Sequence, residues 1–71
     1  MPDMIFVASS NVEAVGYDPA SQELHVRFLG TGQTYVYYEV PEWVFEELKN
    51  AASIGSYLNR QVKGRFQHAK L

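Results

Sequence analysis

Hydrophobic and polar positions alternate along the first half of the chain and then change period. In Asn11–Tyr17, Val12, Ala14 and Gly16 fall on one side, and Glu13, Val15 and Tyr17 on the other. Asp18-Pro19-Ala20-Ser21 is a turn signal, because proline presets φ at the second turn position. Glu23–Leu29 then sets Leu24, Val26 and Phe28 against His25, Arg27 and Leu29. Period-two alternation of this kind predicts strands with one buried face. Gly30-Thr31-Gly32 predicts a second tight turn, and Thr34–Val40, rich in β-formers, a third strand.

At Val40-Pro41 the period switches. Proline cannot continue a sheet ladder and suits the first position of a helix. Glu42, Glu46 and Glu47 put negative charge toward that helix's N-terminal end. Val44, Phe45, Leu48, Ala51 and Ala52 form an apolar stripe at helical spacing, and Trp43 falls off it. Ser53 is the expected N-cap of a second helix with the stripe Ile54, Tyr57, Leu58, Gln61 and Val62. Arg60, Lys63 and Arg65 fall off that stripe, toward solvent. The order β-β-β-α-α predicts an α+β domain. Its sheet is a three-stranded antiparallel meander, with both helices packed on one face. Residues 1–8 are expected to be an extended lead-in and residues 67–71 a frayed tail.

Hairpin register decides what each face displays, since a slip of one residue exchanges the faces. A two-residue second turn, at Gly30-Thr31 or Thr31-Gly32, puts Tyr35 and Tyr37 with Leu24, Val26 and Phe28. A five-residue first loop, Asp18 to Gln22, pairs Tyr17 with Glu23, Val15 with His25 and Glu13 with Arg27. That register sets opposite charges across from each other, which is favourable by a few tenths of a kcal/mol. The open face is then expected to show Glu13, Val15, Tyr17, His25, Arg27, Val36 and Tyr38, unless it is buried in a homodimer or covered by the N-terminal run Met4–Ala8.

Seventy-one residues make one domain with a small core; such a domain buries about 60% of its unfolded surface. The chain has no cysteine, so disulfides and thiolate zinc sites are excluded. Met4–Ala8 is apolar but too short for a secretion signal, and no run reaches the roughly 20 residues of a membrane span. The expected location is the cytoplasm. The net charge of −2 conceals an asymmetry. All eight acidic residues lie between Asp3 and Glu47. Lys49, Arg60, Lys63, Arg65 and Lys70 follow with no carboxylate side chain among them. A cationic segment of this kind suits an anionic partner, or complements the acidic half of its own chain.

The chemistry-bearing residues make no catalytic constellation. His25 and His68 are the only histidines and have no ligand spacing to carboxylates, so no metal site is expected. Ser9-Ser10 has no paired base in sequence, and Gly30-x-Gly32 lacks the rest of a phosphate loop. Neither catalytic residues nor a cofactor is expected.

The ordered set Ser9-Ser10-x-Val12, Gly16-Tyr17-Asp18, Leu24-x-Val26-x-Phe28, Gly32, Tyr35-x-Tyr37, Val40-Pro41, Ala52-Ser53-x-Gly55-x-Tyr57 and Asn59 resembles the KTSC domain. That small module occurs at the C-terminus of some lysyl-tRNA synthetases and as a stand-alone bacterial or phage protein. The resemblance covers residues 9–66 and implies a free-standing copy. It brings no catalytic or metal-binding residues, and the synthetase association suggests RNA binding.

Two functions follow as expectations. One is a non-enzymatic module that contacts RNA or single-stranded DNA. Arg60, Lys63, Arg65 and Lys70 then meet phosphates, with Arg27 and Tyr38 as base contacts. The other is a module for protein contact or self-association through Tyr17, His25, Val36, Tyr38 and Trp43.

Overall fold

The computed structural model describes residues 2–71. Among these, five strands form one antiparallel sheet in the order β1-β2-β3-β4-β5. They are β1 (Ile5–Phe6), β2 (Val12–Asp18), β3 (Glu23–Phe28), β4 (Thr34–Tyr37) and β5 (His68–Lys70). The α+β class and the central meander match the expectation, but the sheet has five strands and not three. The expected lead-in supplies β1, pairing Ile5 with Val15 and Phe6 with Ala14. The expected frayed tail supplies β5, pairing His68 with Tyr37, Ala69 with Val36 and Lys70 with Tyr35. Two short runs cover the edges of the meander, whose backbone groups would otherwise lie unpaired. Runs of two and three residues are too short for periodicity to reveal.

The second hairpin has the expected register, Leu24 opposite Tyr37 and Val26 opposite Tyr35. This is the register of the Gly30-Thr31 option, but the turn is longer than the two residues expected: the Phe28 N–H donates to the Gln33 carbonyl at 2.9 Å and the loop spans residues 29–32. Gly30 and Gly32 both hold positive φ, at 83° and 69°, which glycine adopts without steric cost. The first hairpin differs from expectation by one residue. Asp18 lies opposite Glu23, Tyr17 opposite Leu24 and Val15 opposite Val26. The loop is shortened to Pro19–Gln22, held by the Ala20 N–H donating to Asp18 Oδ1 at 3.0 Å. Val15 and Tyr17 therefore point to the helix side. A bulge between Val12 and Ala14 then shifts the register, so that Val12 lies opposite Phe28 and is also buried. Glu13 sits in the bulge and still accepts from Arg27 Nε at 3.1 Å. The anticipated charge pair thus forms in a different register.

Helix α1 (Glu42–Lys49) follows β4, with Pro41 as its N-cap and not its first residue. It buries Val44, Phe45 and Leu48 against the sheet. Ala51 and Ala52 lie past its end, half-buried and exposed respectively. Full burial of a leucine such as Leu48 contributes about 2 kcal/mol. Helix α2 (Ile54–Tyr57) starts at Ser53, whose Oγ accepts the Ser56 N–H at 3.3 Å. It runs directly into a π-helical turn, Leu58–Val62, closed by the Lys63 N–H donating to the Leu58 carbonyl at 2.8 Å. Ile54, Tyr57, Leu58 and Val62 complete the core.

The opposite face of the sheet is not the open platform expected. His25 and Val36 are buried beside Ala14 and Gly16, and Tyr17 has left this face. The N-terminal segment packs on it closely: a Cβ at Gly16 would lie 2.8 Å from both the Asp3 carbonyl oxygen and Met4 Sδ. His25 Nε2 meets Glu23 Oε1 at 3.3 Å, while its Nδ1 has no partner among the described residues.

Gly16→Ala is accordingly expected to dislodge the lead-in, seen as faster amide exchange in β1 with β3 and β4 protection retained. A second prediction concerns alkaline stability. Burial raises the Tyr57 phenol to about 12, reinforced by its hydrogen bond to Glu47 (2.7 Å) and that carboxylate's charge, and opposed by Arg60. Its ordinary value is 10.0, so its contribution is fully present below that pH and is lost as pH rises through about 12. Burial raises Tyr17 and Tyr37 in the same sense. Urea midpoints are expected to fall between pH 9.5 and 11.5, and less steeply in Tyr57→Phe (~1 kcal/mol less stable at neutral pH).

Candidate functional site

On the helix side of the sheet, beyond the π-helical turn, lies a cleft of about 610 Å³. Its side chains include Phe28, Tyr35, Tyr37, Lys63, His68 and Lys70, with Asn11, Thr31 and Gln33 adding polar groups. The sheet produces this set directly. Alternation in β4 sends Tyr35 and Tyr37 to one face, and antiparallel pairing sets Lys70 opposite Tyr35 and His68 opposite Tyr37. The Phe28 and Tyr35 rings meet edge to face, centroids 5.6 Å apart. The His68 ring tilts against both tyrosines, at 5.8 Å from Tyr35 and 5.5 Å from Tyr37.

The fourth side comes from the end of the second helix. Its π-helical turn gives way to Gly64 at φ 82°, a left-handed conformation that glycine tolerates. This exit carries Lys63 Nζ over the Phe28 ring, 5.1 Å from its centroid, a cation–π contact. Single π-helical turns within helices often occur at functional sites. Among the described residues no carboxylate lines the cleft. It therefore offers an aromatic floor and two ammonium groups, suited to an anion that carries a flat ring.

The residues proposed from sequence as nucleic-acid contacts separate into groups. Lys63 and Lys70 join in this cleft. Arg65 and Tyr38 share a second one, of about 540 Å³, with Glu39, Phe66 and Gln67. Arg60 is exposed on the π-helical turn and lines neither. Arg27 lies on the opposite sheet face, engaged by Glu13. Of the proposed protein contacts, Tyr17 stacks on Phe45 at 5.2 Å and donates its hydroxyl to the Val40 carbonyl, while His25 and Val36 are buried. Tyr38 and Trp43 keep 38% and 62% of their surface exposed.

Sequence reasoning overlooked Phe28, Tyr35, Tyr37 and His68 as site residues. The tyrosines were expected as core wall, and Tyr37 is indeed buried. The core takes in Tyr37 but leaves Tyr35 half-buried and His68 exposed. The signal for His68 was the period-two spacing His68-x-Lys70, too short to stand out from a tail. Among the described residues no group of three or more histidines and carboxylates gathers as a metal site, and no helix is long and apolar enough to cross a membrane.

With this geometry the chain can be compared with known proteins. Residues 8–66 match the model of the KTSC domain. The chain belongs to the KTSC family. The match includes Phe28, Tyr35, Tyr37 and Lys63 but ends before His68 and Lys70 in β5. A Tsukamurella paurometabola protein is 54% identical over 65 residues, which cover 92% of this chain and 96% of that protein. A lysine–tRNA ligase from Nostoc sp. is 40% identical over 62 residues, 87% of this chain but only 11% of the ligase. The crystal structure of a KTSC domain protein from Yersinia pestis superposes with a TM-score of 0.94 at 32% identity, covering 100% of this chain and 99% of that one. The five-stranded arrangement described here is thus placed within a KTSC fold over its full length.

Gly64→Ala puts a Cβ into the left-handed region and is expected to cost this KTSC domain about 1–2 kcal/mol. Chemical denaturation measures that loss, and loss of the Phe28 ring-current shift on the Lys63 side-chain protons reports the displaced ammonium.

Proposed function

We propose that this KTSC domain is a non-enzymatic, cytoplasmic module that binds single-stranded nucleic acid, RNA or DNA, in the cleft beside β5. The observation that carries the reading is the meeting of Tyr35, Phe28 and His68 with Lys63 and Lys70 in one cleft free of carboxylates. A base stacks on an aromatic side chain for about 1–3 kcal/mol, and does so in any sequence because every base has a π-face. Ammonium groups beside the ring engage the phosphates on either side of that base. The cleft's volume falls in the range of small-ligand sites, roughly 300–1,000 Å³. The acidic pI of about 5.5 is no obstacle, because all eight acidic side chains precede Leu48 and five of the six Lys and Arg residues follow it. The kinship with part of a lysine–tRNA ligase adds support for RNA, since that relative's name gives tRNA as its substrate.

A second reading, protein contact through α1, rests on Trp43. A tryptophan 62% exposed is a common anchor at protein interfaces. It predicts a mass that rises with concentration and returns to that of a monomer in Trp43→Ser.

For the first reading, isotope-labelled protein is titrated with uridine and thymidine hexanucleotides at low salt. Shifts are expected at Tyr35, Lys63, His68 and Lys70, and the two sugars separate RNA from DNA preference. Two phosphate contacts predict a log–log salt slope of about −1.4. Lys63→Gln and Lys70→Gln are each expected to weaken binding several-fold and to flatten that slope. No shift with either oligonucleotide would sink the proposal.

A further inference from the structure

The second cleft shares a wall with the first. Tyr37, Gly64 and His68 line the first, and their chain neighbours Tyr38, Arg65 and Gln67 line the second. Consecutive Cα atoms are about 3.8 Å apart, so the ridge from Gly64 to His68 that divides the clefts is one chain wide. That ridge is fixed in place. The Tyr38 N–H donates to the Gln67 carbonyl at 2.9 Å, and the Phe66 N–H to the Val62 carbonyl at 3.3 Å. Phe66 also packs on the core. The second cleft thus repeats the parts of the first, an aromatic ring and a cation, on the far side of a rigid divider.

We infer that Tyr38 and Arg65 form a second subsite for the same strand, taking a neighbouring nucleotide as the chain passes over the ridge. The inference rests on the nucleic-acid reading of the first cleft. The roles within the subsite follow from its charges. Arg65 is exposed, and its planar guanidinium presents several N–H donors to a phosphate. The Tyr38 ring is accessible to a base. Glu39 borders the same cleft at φ 59°, and its carboxylate repels a phosphate. The backbone of the bound strand therefore runs on the Arg65 side and its base on the Tyr38 side. A site with two steps gains more from a longer strand than the number of registers that strand offers, whereas a single-base site gains only that number.

The test compares uridine 5′-monophosphate with uridine hexanucleotide on the wild-type protein and on R65Q, Y38A and K63Q. Both Tyr38 and Arg65 are exposed, so their variants keep the fold, which amide spectra verify. Wild type is expected to bind the hexanucleotide at least thirtyfold more tightly than the mononucleotide. R65Q and Y38A are expected to bring that ratio to about sixfold, the number of registers a hexanucleotide offers, with mononucleotide affinity unchanged. K63Q is expected to weaken both ligands alike. A ratio retained in R65Q and Y38A, with K63Q weakening both ligands, overturns the second subsite alone. Equal loss for both ligands in R65Q also overturns it. If wild type binds neither ligand, the first cleft's reading fails and the second subsite with it.

Discussion

The pairing of β2 with β3 is the constraint on which the rest of the molecule depends. A four-residue loop sets Val15 and Tyr17 opposite Val26 and Leu24, on the helix side. Tyr17 stacks there on Phe45 of α1 and donates to the carbonyl of Val40, so one side chain ties β2 to the step from sheet to helix. Val40 also donates its N–H to Gln22 in the first loop, at 2.9 Å. The same register would carry Val12 off the core. The bulge at Glu13 returns it, because one extra residue reverses the alternation. It also leaves the Glu13 carboxylate beside Arg27.

The helices that this pairing positions are short, and their shortness creates the cleft. Helix α1 has eight residues and α2 four before the π-helical turn. Together they bury Tyr37 but leave Tyr35 half-buried and His68 and Lys70 of β5 exposed. A longer second helix would bury Tyr35 and His68. The π-helical turn and Gly64 instead turn the chain back to the sheet, where it adds β5 and brings His68 and Lys70 to the face. The element that completes the sheet edge is thus the one that equips the site.

The other sheet face shows the reverse economy. It carries Ala14, Gly16, His25 and Val36, a shallow surface that the Asp3–Met4 segment meets closely at Gly16. At Gly16 the missing side chain allows a single extended segment to approach. The imidazole of His25 is the exception in this apolar setting, with one nitrogen at Glu23 and the other without a partner among the described residues.

What the sequence determined by itself were the features written in local periodicity and punctuation. The central meander, the faces of the second hairpin, the Ser53 cap and the buried positions Val44, Phe45, Leu48, Ile54, Tyr57, Leu58 and Val62 were all legible, because each depends on neighbours within a few positions. The family, too, was legible from an ordered set of such positions. Tertiary structure decided the rest. The first hairpin's register turned on a loop one residue shorter than expected and on a bulge, neither of which alters the alternation visible in the sequence. The edge strands formed because backbone groups needed partners, a demand that no side-chain pattern records. The cleft emerged only when His68 and Lys70, more than thirty positions from Tyr35 and Tyr37 along the chain, paired with them across β4 and β5. Core wall and cleft floor are the same tyrosine face at two places, and only the extent of helical cover separates them.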